Sequence, residues 1–209
     1  MSSRTSDGKA PDPARRSDRS RRAILDAALA LVGEVGYNKL TIEAIAARAG
    51  VGKQTIYRWW PSKAAVLLDA SLALAGDAET EGGWTGFPDT GDLAADLKLV
   101  LRVTVDQFND EKYEAPVRAL TAAGATDPEL GKRFTEQLLE PQLALYEARL
   151  RAAREAGQLA ADVDLRLTVE MLVGPLTYRW LMQTGPLTHA FTDGLVDRVL
   201  GGVANVTDA

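Results

Sequence analysis

The chain has 209 residues, is 46% hydrophobic, contains no cysteine and carries a formal net charge of −5. That length allows one small and one larger domain. The missing thiols exclude disulfides and thiolate metal sites, and no apolar run reaches the ~18 residues of a membrane-spanning helix. The opening residues lack the apolar stretch of a secretory signal, so a cytoplasmic location is expected. The charge is unevenly divided. Residues 1–63 hold 12 of the 24 basic and 6 of the 29 acidic side chains, giving +6 there and −11 in the remainder. A basic first third suits a nucleic-acid partner, because neutralised phosphates release their counterions.

In chain order, residues 1–17 are rich in Ser, Asp, Pro and Arg without periodicity and read as a disordered basic arm. Arg15, Arg16, Arg19, Arg21 and Arg22 are either a solvated arm or part of a nucleic-acid footprint; the charge asymmetry favours the footprint. A first helix is predicted from about Ser20 to Val35, buried through Ile24, Ala28, Leu31 and Val35, with Gly33 weakening it and Gly36 ending it. Ile42, Ile45, Ala46 and Ala49 then form one helical stripe. Thr41 stands where an N-cap hydroxyl satisfies free amides, and Gly50 where a helix stops. Val51 can plug the corner, and Gly52 can open a second short helix beginning at Lys53. Pro61 and Ser62 end it, and Ser62 caps the next helix, which starts at Lys63 and runs to about Gly76.

Helix, tight turn and helix over about 41–60 is the layout of a helix-turn-helix DNA reader. In that layout the first turn of the second helix, Lys53, Gln54 and Thr55, reaches the major groove. Gln can pair with adenine, and Lys can donate to guanine. Ile56 and Trp60 are the core candidates. Tyr57 is expected at the groove or a phosphate, Trp59 at the backbone, and Arg58 in an auxiliary place. Lys63 and Thr41 each sit at a helix start, where a side chain and free amides can meet a phosphate.

Residues 81–92 are rich in Gly and turn formers and mark a boundary or long loop. Beyond them helices are predicted over Asp92–Phe108, Pro116–Ala125, from Asp127 with Pro128 in its first turn, from Pro141 to Gly157, from Asp164 to about Thr184 with a kink at Pro175, and from Thr192 or Asp193 to Leu200. No strand pattern occurs, so the fold class is all-α.

The run Thr41-Ile42-x-x-Ile45-Ala46-x-x-Ala49-Gly50-Val51, followed by Ile56-Tyr57-x-x-Trp60 and Ser62-Lys63, resembles the TetR (tetracycline-repressor-like) family, as does the stretch from Arg22 to Tyr37. Trp60 for the more usual Phe and Gly52 for a common Ser are conservative departures. A weaker likeness to TetR-type C-terminal domains lies in Arg154-x-x-Gly157-x-Leu159 and in Leu172-x-Gly174-Pro175-Leu176-x-Tyr178-Arg179. The resemblance implies a DNA-binding domain over 18–78 and a ligand-binding and dimerisation domain over 79–209. It also implies a phosphate contact for Thr55, and a homodimer formed by the last two helices through Leu165, Val169, Leu172, Leu176, Leu195 and Val199. Two-fold symmetry would then set the reading helices roughly 34–36 Å apart on a near-palindromic operator. The expected activity is repression relieved by a small-molecule effector, with Phe108, Tyr146, Met171, Tyr178 and Trp180 as pocket candidates because large apolar side chains line such cavities.

Other functions remain. A helix-turn-helix activator or constitutive DNA binder, or a regulator answering to a protein, fits the same motif. An all-α enzyme with an accessory DNA head is disfavoured. His189 is the only histidine and has no Cys partner, Asp162 and Asp164 are too few for a cation, and no glycine pair is followed by Lys and Ser or Thr. No catalytic residue, metal or cofactor is expected.

Overall fold

The computed structural model describes residues 13–81 and 86–203. The first twelve residues of the expected arm and four of the expected loop lie outside the described residues, as do the side chains of Arg15 and Arg16. The described residues form ten α-helices in the order α1 (Pro13–Lys39), α2 (Ile42–Ala49), α3 (Lys53–Tyr57), α4 (Lys63–Glu81), α5 (Leu93–Asn109), α6 (Glu111–Gly124), α7 (Pro128–Phe134), α8 (Glu140–Glu155), α9 (Leu165–Met182) and α10 (His189–Val203). The fold is all-α.

Helix ends follow the side chains able to satisfy free amides. Asp92, Asp127 and Asp164 accept from Ala95, Leu130 and Leu167 at 3.0, 3.1 and 3.0 Å. Several boundaries differ from expectation, among them the end of α4, which runs to Glu81 rather than about Gly76. α1 begins at Pro13 rather than near Ser20, since proline lacks only a donor that a first turn cannot use. α6 begins at Glu111 rather than Pro116, because Asp110 caps it, accepting from the Lys112 amide at 2.9 Å. α7 and α8 are joined without a break by a π turn, Thr135–Leu139. The turn lies immediately before Pro141, which cannot donate to the carbonyl four residues back. α10 starts at His189, three or four residues early, with Thr188 Oγ1 accepting from Phe191 N at 3.2 Å. Gly36, at φ 75°, breaks α1 where a stop was predicted. Pro175 lies within an α9 that runs unbroken from Leu165 to Met182.

Packing does not follow the order of the chain. One core joins α1–α4 through Ile24, Ile45, Ile56 and Leu67, and extends to Leu120 and Ala123 of α6 and Leu130 of α7. A second joins α5, α8, α9 and α10 through Leu97, Leu101, Leu150, Leu172 and Val196. A smaller cluster of Val105, Leu176, Trp180 and Leu187 lies against the far ends of α5 and α9. Each fully buried Leu or Ile contributes about 1.5–3 kcal/mol. α6 therefore packs with the first four helices, while its N-terminal end follows directly from α5. Its turn into α7 is tight. A Cβ on Gly131 would lie 2.6 Å from the Gly124 carbonyl oxygen.

Candidate nucleic-acid interface

The reading surface is built from the turn between α2 and α3. Thr41 Oγ1 accepts from Ala44 N at 3.1 Å and opens α2. Gly50 takes the left-handed conformation, φ 67°, and the Val51 amide reaches back to the Ala46 carbonyl at 3.0 Å. That closure reverses the chain within three residues. α3 is one turn and a half long, and Ile56 and Trp60 anchor it, 0% and 3% exposed. Trp60 Nε1 donates to Asp69 Oδ2 at 2.8 Å, and Arg21 donates to the same oxygen at 3.2 Å. α1, α3 and α4 are thus pinned at one carboxylate.

With α3 anchored on that side, Lys53, Gln54 and Tyr57 are exposed and Thr55 is half-buried. This is the face expected to meet DNA. The Lys53 ammonium lies 3.6 Å from Glu43 in the first turn of α2. Trp59 is half-buried and packs against the head core, with the Arg58 guanidinium 4.9 Å over its ring. Part of the surface expected to touch DNA backbone is therefore already engaged within the protein.

Lys63 differs from expectation. Its ammonium donates to the carbonyls of Tyr37 and Leu40 at 2.8 Å and of Asn38 at 3.5 Å, and it lies 4.5 Å over the Tyr37 ring. These three bonds tie the end of α1, so the side chain serves as a brace within the head; the α4 amides keep the option of a phosphate. Arg48 is likewise held, bidentate on Glu34 at 2.9 and 2.8 Å, and this pairing lowers the Glu34 carboxyl below its ordinary range.

The five expected pocket residues do not come together. Phe108 and Trp180 stack, with centroids 4.6 Å apart and planes 23° from parallel. Tyr146 lies in the other core, edge-on to Phe87 at 4.9 Å, where burial pushes its phenol up to about 12. Met171 and Tyr178 face outward from α9. Two clefts lie elsewhere: one of about 450 Å³ between α1 and the first turn of α6, lined by Asp26, Leu29 and Lys112, and one of about 390 Å³ beside Gly91, Leu159 and Leu200.

The expected dimer residues are also mostly occupied. Leu165, Val169, Leu172, Leu176 and Val199 are buried within the protomer, and Leu195 is half-buried. The five buried ones therefore pack within the protomer, and of the six only Leu195 keeps appreciable accessible surface. The apolar side chains that α9 turns outward are Leu167, Met171, Tyr178 and Met182, at 54, 45, 61 and 59% exposure.

Sequence reasoning missed a buried ion pair. Arg149, on α8, donates through Nε and Nη2 to Asp96 Oδ2 at 2.9 and 2.8 Å. Thr90 donates to the same carboxylate through its hydroxyl and its amide. The signal was available: Asp96 sits between Leu93, Leu97 and Val100 on an apolar stripe, where a carboxylate needs a partner. His189, read as a surface residue, is exposed, with Nε2 2.8 Å from Asp106 Oδ1. Among the described residues no cluster of three or more His, Cys, Asp or Glu could hold a metal, and no helix is long and apolar enough to cross a membrane.

An anchored turn that exposes the first residues of a short second helix, on a basic all-α head, defines a helix-turn-helix DNA-binding protein. The comparisons with known proteins narrow this. Residues 24–70 match the N-terminal model for bacterial regulatory proteins of the tetR family, and residues 87–199 match the tetracycline-repressor-like C-terminal domain. The chain belongs to the TetR family of transcriptional regulators. It is 33% identical to a DNA-binding transcriptional repressor, TetR, of Mycobacteroides abscessus, over 85% of this chain and 90% of that one. It is 29% identical to the helix-turn-helix regulator YdeS of Bacillus subtilis, over 90% and 91%. Among solved structures, the TetR-family regulator SCO0332 superposes with a TM-score of 0.69 at 35% identity, covering 89% of this chain and 99% of that one.

Proposed function

We propose that this regulator is a homodimeric repressor that holds a near-palindromic operator with one α3 in each of two successive major grooves, and that a small molecule bound in the helical body releases it. The observation that carries the reading is the display of Lys53, Gln54 and Tyr57 on one face of α3 while Ile56 and Trp60 fix its other face. Lys53 and Gln54 read base edges. Thr55, Tyr57 and the Thr41 hydroxyl, which keeps its proton free while capping α2, meet phosphates.

The interface proposed for the second copy is the outer face of α9. Leu167, Met171, Gly174, Tyr178 and Met182 recur every three or four residues and form one stripe, and glycine at its centre lets two helices approach closely. Such a stripe can meet itself across a two-fold axis. A ligand acts only by binding the released arrangement better than the DNA-bound one. α6 is the element suited to carry that difference, because it packs on α1 and α4 and also holds α9: Arg118 Nη1 donates to the carbonyls of Trp180 and Leu181 at 2.8 and 3.0 Å. The reading assigns no reaction to the chain, and its place is the cytoplasm, where the operator is.

Selection of bound fragments from the source genome tests the reading, with a Lys53→Ala/Gln54→Ala variant beside it. A near-palindrome recovered by the wild type and lost by the variant is the expected result. Fragments without a shared motif, bound equally by both, would reduce the protein to phosphate-driven association and end the proposal.

A further inference from the structure

Trp180 is 5% exposed, and its indole Nε1, itself inaccessible, has no hydrogen-bond partner. Buried polar groups are nearly always paired, and a solitary buried donor calls for an explanation. The hydrophobic side chains clustered with it, Val105, Leu176 and Leu187, with Phe108, Val117, Leu181 and Phe191 around them, carry no acceptor. The backbone carbonyls of Trp180 and Leu181 are taken by Arg118. A Phe in this place would fill apolar space without leaving a donor unmatched.

From this unmatched donor we infer that the effector is a neutral, apolar molecule bearing a carbonyl oxygen, which accepts a hydrogen bond from Trp180 Nε1. The inference deepens the effector reading above and rests on it. Neutrality follows from the charges nearby. The Arg118 guanidinium lies 4.6 Å from the Trp180 ring centroid, but it is paired with Glu114 one turn earlier on α6. The other cation at the cluster, Arg179, stacks on the half-buried Phe191 ring, 3.7 Å from its centroid, and donates to the Pro186 carbonyl, while burying a carboxylate among Val105, Leu176 and Leu187 is costly. Phe108 and Phe191 are half-buried and mark the accessible side of the cluster. A molecule bound there touches Arg118, and through it the helix that packs on the reading head.

The test uses a matched pair of probes, benzophenone and diphenylmethane, which differ in the carbonyl alone, in equilibrium dialysis against the full chain without DNA. The ketone is expected to bind about tenfold more tightly, as one hydrogen bond to a buried donor allows. That preference should vanish in Trp180→Phe. Replacement of Trp180 by 3-benzothienylalanine, which keeps the bicyclic shape and lacks the N–H, guards against a packing defect and should give the same loss. Equal binding of the two probes, a preference that survives both replacements, tighter binding of 4-benzoylbenzoate than of benzophenone, or no binding at all would each overturn the inference. Because no DNA is present, this outcome is separate from the effector reading. Ketone binding through Trp180 that leaves a pre-formed operator complex intact would sink that reading while keeping the site.

Discussion

The helices packed around α3 and those packed around α9 are held by different forces. The first core is closed by shape: Ile45, Ile56 and Trp60 sit among aliphatic side chains, and its ion pairs, such as Arg21 to Asp69 and Arg48 to Glu34, lie at the surface. The second encloses charge. Arg149 and Asp96 are 4% and 1% exposed, while the core's other ties, Arg102 bidentate on Asp193 and Arg166 with Glu140, Glu147 and Glu170, lie nearer the surface. A core closed by shape tolerates changes of charge but not of volume. A core that encloses an ion pair tolerates neither partner alone. The reading head thus keeps one geometry over a range of conditions, while the body is sensitive to the electrostatics around it.

Four substitutions sharpen or break that contrast. The largest effect is expected from Arg149→Met, which leaves Asp96 buried and unpaired and should lower the unfolding free energy by about 3–5 kcal/mol in urea denaturation. A loss near zero would mean that the pair is not what holds the body. The pH dependence has a definite sign. Burial pushes the Asp96 carboxyl up, but the hydrogen bonds from Thr90 and Arg149 more than offset it and hold it low. Asp193 is held low chiefly by Arg102, and Glu140 by Arg166. A carboxyl whose folded value lies below its unfolded one stabilises fully above about pH 4 and loses that contribution as pH falls through the folded value. Stability should be flat from neutrality to about pH 5, decline below about pH 4, and decline less steeply in Arg149→Met.

Next comes Lys63→Met. Losing an ammonium that closes the end of α1 should cost about 1.5–3 kcal/mol, while the salt dependence of DNA binding keeps its slope. A slope reduced by about one would return Lys63 to the phosphate contacts. Gly131→Ala probes the volume limit of the first core, at the turn from α6 to α7. Its Cβ meets the backbone of Gly124, not a movable side chain, so thermal denaturation should show a loss of about 1–3 kcal/mol. Lys53→Ala has the smallest effect on stability, within about 0.5 kcal/mol, because its pairing with Glu43 is solvent-exposed. In DNA titrations the same variant should weaken operator binding by about 1–3 kcal/mol and relax the base preference at the position it reads.

Much of the reading face was legible in the chain because its determinants are local. The cap at Thr41, the stop at Gly50 and the anchors Ile56 and Trp60 lie within twenty residues, and helical spacing alone places Lys53 and Gln54 on the opposite side. The pocket and dimer residues were not legible. α9 is apolar almost all round, so its periodicity cannot say which stripe faces the core; Val169, Leu172 and Leu176 turned inward, and Leu167, Met171 and Tyr178 turned out.

The sequence by itself therefore determined the all-α class, most helix caps and the DNA-reading motif, since each depends on amides and side chains a few residues apart. Tertiary structure alone decided that Lys63 serves carbonyls 23 to 26 residues away, that Asp96 finds Arg149 across 53, and that α6 joins the head core. Those outcomes depend on where distant helices meet, and a buried charge or an unmatched indole N–H is visible only once everything around it has been placed.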